Sequence, residues 1–218
     1  MPDVPGYQKR LAEMLEVAIL AVPKISQARV VVDKTREFLR VWHFIALAKI
    51  PGDYLEFGVF EGASFKLALR TASKFFDRRR SDAPRFFAFD SFQGLPDPDL
   101  VRDASIFRAG EYRATLATFE RNIRRTARGW KTTTIPGRFD EVLKPELLDR
   151  LQLRKAAFVN IDCDLYASTL AALRFVTPTL QTGSVLYFDE WFYASGDMAL
   201  SEAGAFHDWL VAQPGIKL

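Results

Sequence analysis

Two pairs of acids stand out in the second half of the chain, Asp162-Cys163-Asp164 and Asp189-Glu190. Each pair closes a run of apolar residues, so each sits where a buried strand would emerge. Carboxylates gathered on neighbouring strand ends repel one another unless a cation or protons compensate. Hard oxygen donors with no histidine or cysteine among them suit Mg²⁺, Mn²⁺ or Ca²⁺ rather than zinc. The alternative for any one of these acids is a turn cap, but turn capping does not account for all four together.

A different chemistry is written earlier in the sequence. The segment Glu56-Phe57-Gly58-Val59-Phe60-Glu61-Gly62-Ala63-Ser64 follows an apolar run and precedes a helical one. Two glycines four residues apart let the backbone turn sharply and approach a ligand closely, with helix amides just beyond. A second run ends in Phe89-Asp90-Ser91-Phe92-Gln93-Gly94. A carboxylate in that position suits a ribose diol, although an Asp there also serves as a turn cap. No positive charge follows Asp90, and the loop lacks the first glycine of a dinucleotide fingerprint. An adenosine ligand without a pyrophosphate therefore fits better, and S-adenosylmethionine is the commonest of these.

The elements that must carry these residues alternate. Apolar strand-like runs cover Tyr54 to Gly58, Arg85 to Asp90, Ala156 to Asp162 and Ser184 to Asp189, and Lys131 to Ile135 is short and β-branched. Helical periodicity covers 7–22, Thr35 to Ala48, Phe65 to Phe76, Ala114 to Arg125, Ser168 to Thr177 and Ala199 to Ala212. Four strong strands that each feed a helix, apolar rather than alternating, argue for a parallel sheet covered on both faces. Ligands of such sheets bind beyond the carboxyl ends of the strands, which is where the acids lie.

Composition narrows the function classes. In 218 residues, 30 Lys and Arg face 27 Asp and Glu, a net charge of +3 that does not point to nucleic acid. One cysteine excludes a disulfide framework, and two histidines leave little for a zinc site. No apolar run reaches membrane-spanning length and no signal peptide opens the chain, so a cytoplasmic enzyme with no membrane partner is expected. His43 and His207 read as packing or surface residues, and Cys163 as a core residue.

Taken in order, Glu56 to Ser64, Asp90 to Pro96, Ile161-Asp-Cys-Asp-Leu-Tyr-Ala-Ser-Thr169 and Phe188-Asp-Glu-Trp191 resemble the signature blocks of the macrocin O-methyltransferase family. The resemblance spans roughly residues 35–210. It implies a single Rossmann-like class I methyltransferase domain, α/β, with a mostly parallel sheet, helices on both faces and N-terminal helices. It also implies S-adenosylmethionine and Mg²⁺ as cofactors and a hydroxyl of a sugar or diol as acceptor, in natural-product biosynthesis.

Matched position by position, the resemblance assigns Glu56, Gly58 and Phe60, Glu61, Gly62, Ala63 and Ser64 to the cofactor, the last five at its methionine end. Asp90 would hold the ribose, Ser91 and Gly94 would lie beside the adenosine, and Arg138 and Phe139 near the adenine. Asp162, Asp189 and Glu190 match the metal ligands. Asp162 also matches the proton acceptor, and Asp164 is the other candidate base. Departures are Asp189-Glu190 where the family usually has two aspartates, Ala63 in place of a further glycine, and an end at Leu218 short of the family's final hairpin.

Residues 1–50 are expected as an N-terminal helical segment, a lid or dimer contact, and 51–218 as the cofactor-binding core. A homodimer through residues 7–48 is expected. Segment 97–112 reads as a loop placed to cover a substrate. Two rival readings remain: a metal-dependent glycosyltransferase, because Asp162-Cys-Asp164 has the spacing that holds a nucleotide-sugar metal, and a nucleoside-binding module without turnover.

Overall fold

A computed structural model describes residues 27–103 and 106–217. The helix expected over 7–22 lies outside them. The chain forms two compact units, 1–40 and 41–218. What is described of the first is the opening part of helix α1, Gln27–Leu47, which continues into the second.

The second unit alternates strand and helix. Strand β1 (Asp53–Phe57) leads to α2 (Ala63–Ala72), β2 (Phe86–Asp90) to α3 (Leu116–Ile123), and β3 is Thr132–Pro136. Two short helices follow, α4 (Phe139–Val142) and α5 (Pro145–Arg150), then β4 (Ala156–Ile161), α6 (Tyr166–Val176), β5 (Val185–Phe188) and α7 (Ser201–Val211). The sheet order is β3-β2-β1-β4-β5, and every pairing is parallel. The doubly covered parallel sheet expected from the sequence is therefore present, with five strands. The short run after Trp130 is its β3 edge. Helix α2 ends at Ala72 rather than Phe76, and α4 and α5 are additions that the sequence pattern does not reveal.

Alternation along the strands divides the core. On one face Leu55, Phe57, Phe87, Phe89, Val159 and Ile161 pack against Leu147 of α5 and Phe175 of α6. The Phe57 and Phe89 rings stack at 4.6 Å. On the other, Tyr54, Phe86 and Phe158 surround the Trp42 ring at 5.5–6.0 Å, and Phe65 of α2 meets Phe86 edge-on. Every residue of β1 and β4 is buried, whereas the outer strands are only partly covered. Truncating one of these buried aromatic rings would cost about 3–5 kcal/mol.

Topology fixes where a ligand can enter. The chain lays down β1, β2 and β3 outward in one direction and then returns to place β4 on the free side of β1. The carboxyl ends of β1 and β4 thus flank the switch point, the crevice in which open α/β sheets bind ligands. Among the described residues no helix is long and apolar enough to cross a membrane.

Candidate active site

The strands deliver their acids in a row. Glu56 pairs in register with Ala88 on one side and Asn160 on the other, and Asn160 with Tyr187. Two residues further along each strand on the same face come Asp90, Gly58, Asp162 and Asp189.

The glycine loop is held from both sides. Asp90 Oδ2 accepts the amide N–H groups of Val59 at 2.8 Å and Phe60 at 3.0 Å, and Oδ1 accepts that of Phe92 at 2.7 Å. A carboxylate offers about four acceptor positions, so the backbone takes three and leaves one for a ligand hydroxyl. Glu56 is fully buried. It accepts Tyr54 Oη–H at 2.5 Å and the Ser64 hydroxyl of α2. Helix α2 starts at Gly62, in the left-handed region with φ 83°, and no side chain caps it. A Cβ at Gly62 would press on Ile123 and Phe119 of α3. Asn122 of α3 donates to the Glu61 carbonyl at 2.9 Å. Phe60, also left-handed, is left exposed.

The other segments assigned to the cofactor lie beside this loop. Ser91 Oγ donates to the Gly94 carbonyl at 3.2 Å, and Leu95 and Gly110 bridge the two arms of the following loop. The Gly137 amide donates to the Asp90 carbonyl at 2.9 Å, which sets Arg138 and Phe139 beside the end of β2. The Phe139 ring meets Phe57 edge-on at 5.8 Å. The uncapped helix start and the glycine loop fit an adenosine-type ligand.

On the other side of the switch point, Asp162, Asp189 and Glu190 each bring a carboxylate oxygen within 4.8 Å of the others. Glu190 Oε2 is buried without a partner. Burial first, then repulsion from Asp162, Glu202, Asp189 and Asp164, pushes the Glu190 carboxyl up to about 12. A nearby cation reverses that logic and favours the ionised form. An oxygen-only donor set with an orphaned buried carboxylate oxygen fits a hard divalent ion. Asp164 is buried, in the left-handed region at φ 63°, and does not share this grouping.

Glu202 completes the acidic set, and the sequence reading did not single it out. It lies in the first turn of α7, fully buried, and its Oε2 accepts the Glu190 amide N–H at 3.0 Å. Its carboxyl is raised by burial and then by Asp162.

Aromatic side chains wall the site. Tyr193 is raised by burial, then by Glu190 and Asp164, and Tyr112 by burial and then Asp164, so both phenols stand near the acids. Phe60 meets Tyr112 at 6.0 Å and Phe107 meets Tyr193 at 5.8 Å, both edge-on. The described part of segment 97–112 is thus positioned over the strand ends. Asp103 anchors it by accepting the Tyr166 amide at 2.7 Å, and the Arg102 guanidinium lies 3.9 Å from the centre of the Tyr166 ring. Arg102 and Tyr166 both reach Asp208 of α7, at 2.6 and 2.7 Å. Their hydrogen bonds, that from Tyr166 first, lower Asp208 to about 2.

Residues set aside from the chemistry lie elsewhere. Cys163 is buried with Sγ 3.5 Å from Thr169 Oγ1. His43 stacks on Phe75, and His207 is exposed beside Asp208.

The family model described as macrocin-O-methyltransferase (TylF) matches residues 13–204. The demethyldecarbamoylnovobiocin O-methyltransferase of Streptomyces niveus is 29% identical over 149 residues, 65% of this chain and 53% of that protein. The mycinamicin III 3''-O-methyltransferase of Micromonospora griseorubida is 30% identical over 151 residues, 65% of this chain and 56% of that protein. The chain spans about half the length of the curated relatives it matches. Among solved structures, a calicheamicin methyltransferase superposes with a TM-score of 0.66 at 17% identity, covering 99% of this chain and 86% of that one. That likeness shows the fold.

Proposed function

This chain belongs to the macrocin O-methyltransferase family, and on that premise we propose that it transfers a methyl group from S-adenosylmethionine to a hydroxyl of a sugar or similar diol, with Mg²⁺ or a like ion. The observation that carries the reading is the oxygen triad of Asp162, Asp189 and Glu190 beside the glycine loop of β1. Acceptors in natural-product biosynthesis are supported by the names of the relatives, which include enzymes acting on mycinamicin and novobiocin precursors.

The bound cofactor supplies a methyl group already activated on a sulfonium, so the protein has to position a hydroxyl and remove its proton. A divalent ion, when bound, supplies a positive charge that lowers the pKa of an adjacent hydroxyl. Asp162, Asp189 and Glu190 would hold that ion. The loop from Gly58 to Gly62 and the start of α2 would hold the methionine end of the cofactor, with the loop amides fixed by Asp90. Asp162 stands at the end of β4 beside Gly58, on the border between the two halves of the site, which suits it to accept the hydroxyl proton. Fixing donor and acceptor in one crevice adds the proximity contribution.

The glycosyltransferase alternative has less support, because the second acid of its Asp-x-Asp pair, Asp164, stays outside the triad. The test is methyl transfer from S-adenosylmethionine to a panel of sugar and catechol-like diols, with and without EDTA. Transfer that requires a re-added divalent ion is expected. Transfer that survives verified metal removal would overturn the metal-assisted form of the reading.

A further inference from the structure

Glu202 is a costly residue to have in this fold. It is fully buried at the start of α7, and the neighbours that follow it, Ala203, Gly204 and Ala205, are buried too. Of its two carboxylate oxygens, Oε2 accepts the Glu190 amide N–H at 3.0 Å and Oε1 is buried with no partner. Asp162, Asp164 and Asp189 are near enough to add their repulsion. An unpaired buried carboxylate among other acids destabilises a protein, and an apolar or amide side chain of the same length would fit with less cost.

The surrounding backbone presents this residue in one way. Ser201, just before it, adopts φ 47°, and its amide donates to the Arg102 carbonyl at 2.7 Å. A Cβ at Gly204 would collide with the backbone of Ala199. The turn and the helix start therefore fit tightly, with Glu202 directed at the Glu190 peptide.

We infer that Glu202 is a positioning residue of the acidic site: its carboxylate holds the peptide of Glu190 and so fixes the Glu190 side chain for a divalent cation. Two orphaned buried oxygens, Glu190 Oε2 and Glu202 Oε1, sit on residues joined by that hydrogen bond. Groups that support metal ligands from behind are known to set metal affinity without touching the ion. The inference rests on the metal reading above.

The probe is Mn²⁺ alone, titrated into the full chain and followed by the paramagnetic resonance of the free ion, with S-adenosylmethionine calorimetry and thermal melting alongside. Glu202→Met keeps the length of the side chain and removes the acceptor. Glu202→Gln keeps an acceptor oxygen and removes the charge. The Met variant should lose Mn²⁺ affinity by about 10–100-fold while binding S-adenosylmethionine as the wild type does. The Gln variant should keep Mn²⁺ affinity within a few-fold and melt higher than the wild type in EDTA. A residue that only supported the fold would melt lower when replaced. Unchanged Mn²⁺ affinity in the Met variant overturns the inference, as does an equal loss in the Gln variant. Should the Met variant not fold, Glu202→Leu, which also removes the acceptor, takes its place under the same criteria. A wild type that binds no Mn²⁺ overturns the metal reading itself, a result distinct from either variant's behaviour.

Discussion

Gly58 and Asp162 meet at the switch point of the sheet so closely that a Cβ on Gly58 would overlap the Asp162 carbonyl oxygen. The Asp162 amide meanwhile donates to the Phe57 carbonyl at 2.9 Å. The glycine that lets the first strand turn thus also sets how near the fourth strand's acid can come to it. The cofactor half and the acidic half of the site meet here.

Gly58→Ala should therefore damage both halves. With φ at 85° and no room for a methyl group, the substitution should cost at least about 2 kcal/mol of stability. Calorimetry should show weakened binding of S-adenosylmethionine and of Mn²⁺ together. Loss of one with full retention of the other would mean that the two halves are mechanically independent.

Asp90 is the second test, and its geometry changes what a mutation reports. Three backbone amides use its oxygens, two of them from the glycine loop. Asp90→Ala should lower stability by about 1–3 kcal/mol as well as weakening the cofactor. Asp90→Asn keeps an oxygen for one set of amides and should fall between the two. If Asp90→Ala melts like the wild type, the amide contacts contribute nothing and Asp90 acts on ligand alone.

Much of this site is legible in the amino-acid sequence because the strands are short apolar runs stopped by acids. Asp90, Asp162 and Asp189 announce themselves in this way, and parallel topology does the rest. The β3 edge is legible from its three consecutive threonines. Helices α4 and α5, at 4 and 6 residues, are too short to show a helical period. Glu202 is hidden for another reason. An acid in the first turn of a helix normally reads as a partner for the helix dipole at the surface. Only the tertiary packing of α7, chiefly against α6 and with Phe206 against the Phe188 ring at the end of β5, brings it inside, where it meets the Glu190 amide.

The two candidate bases can be separated. Asp162 belongs to the oxygen triad, whereas Asp164 is outside it in a left-handed conformation that asparagine tolerates. Asp162→Asn should lower kcat by about 10²–10⁴-fold, the range for losing a general base. Asp164→Asn should retain most turnover at an unchanged fold, as judged by circular dichroism. The opposite ranking would transfer the proton-acceptor role to Asp164.

The acidic site should also make metal-free stability fall as pH rises. Glu190 has an ordinary carboxyl value of 4.5 when unfolded and about 12 in the folded, metal-free chain. Glu202 shifts in the same direction. A raised folded value means the native state holds more protons than the unfolded one once pH exceeds the unfolded value. Stability is then intact below about pH 4.5 and declines above it, by on the order of 1 kcal/mol per pH unit for each such group. At this chain length that corresponds to about 2–4 °C of melting temperature per kcal/mol. In EDTA the protein should melt progressively lower between pH 5.5 and 8.5, within the window that the Glu190 shift defines. Mg²⁺ binds the ionised carboxylates, so its stabilisation should grow over the same interval, and the two melting curves should diverge with pH. Glu202→Gln should flatten the EDTA curve by removing one of the two groups. Parallel curves with and without Mg²⁺ would show that no proton leaves the site when the cation enters, against the assignment of Glu190 as a ligand.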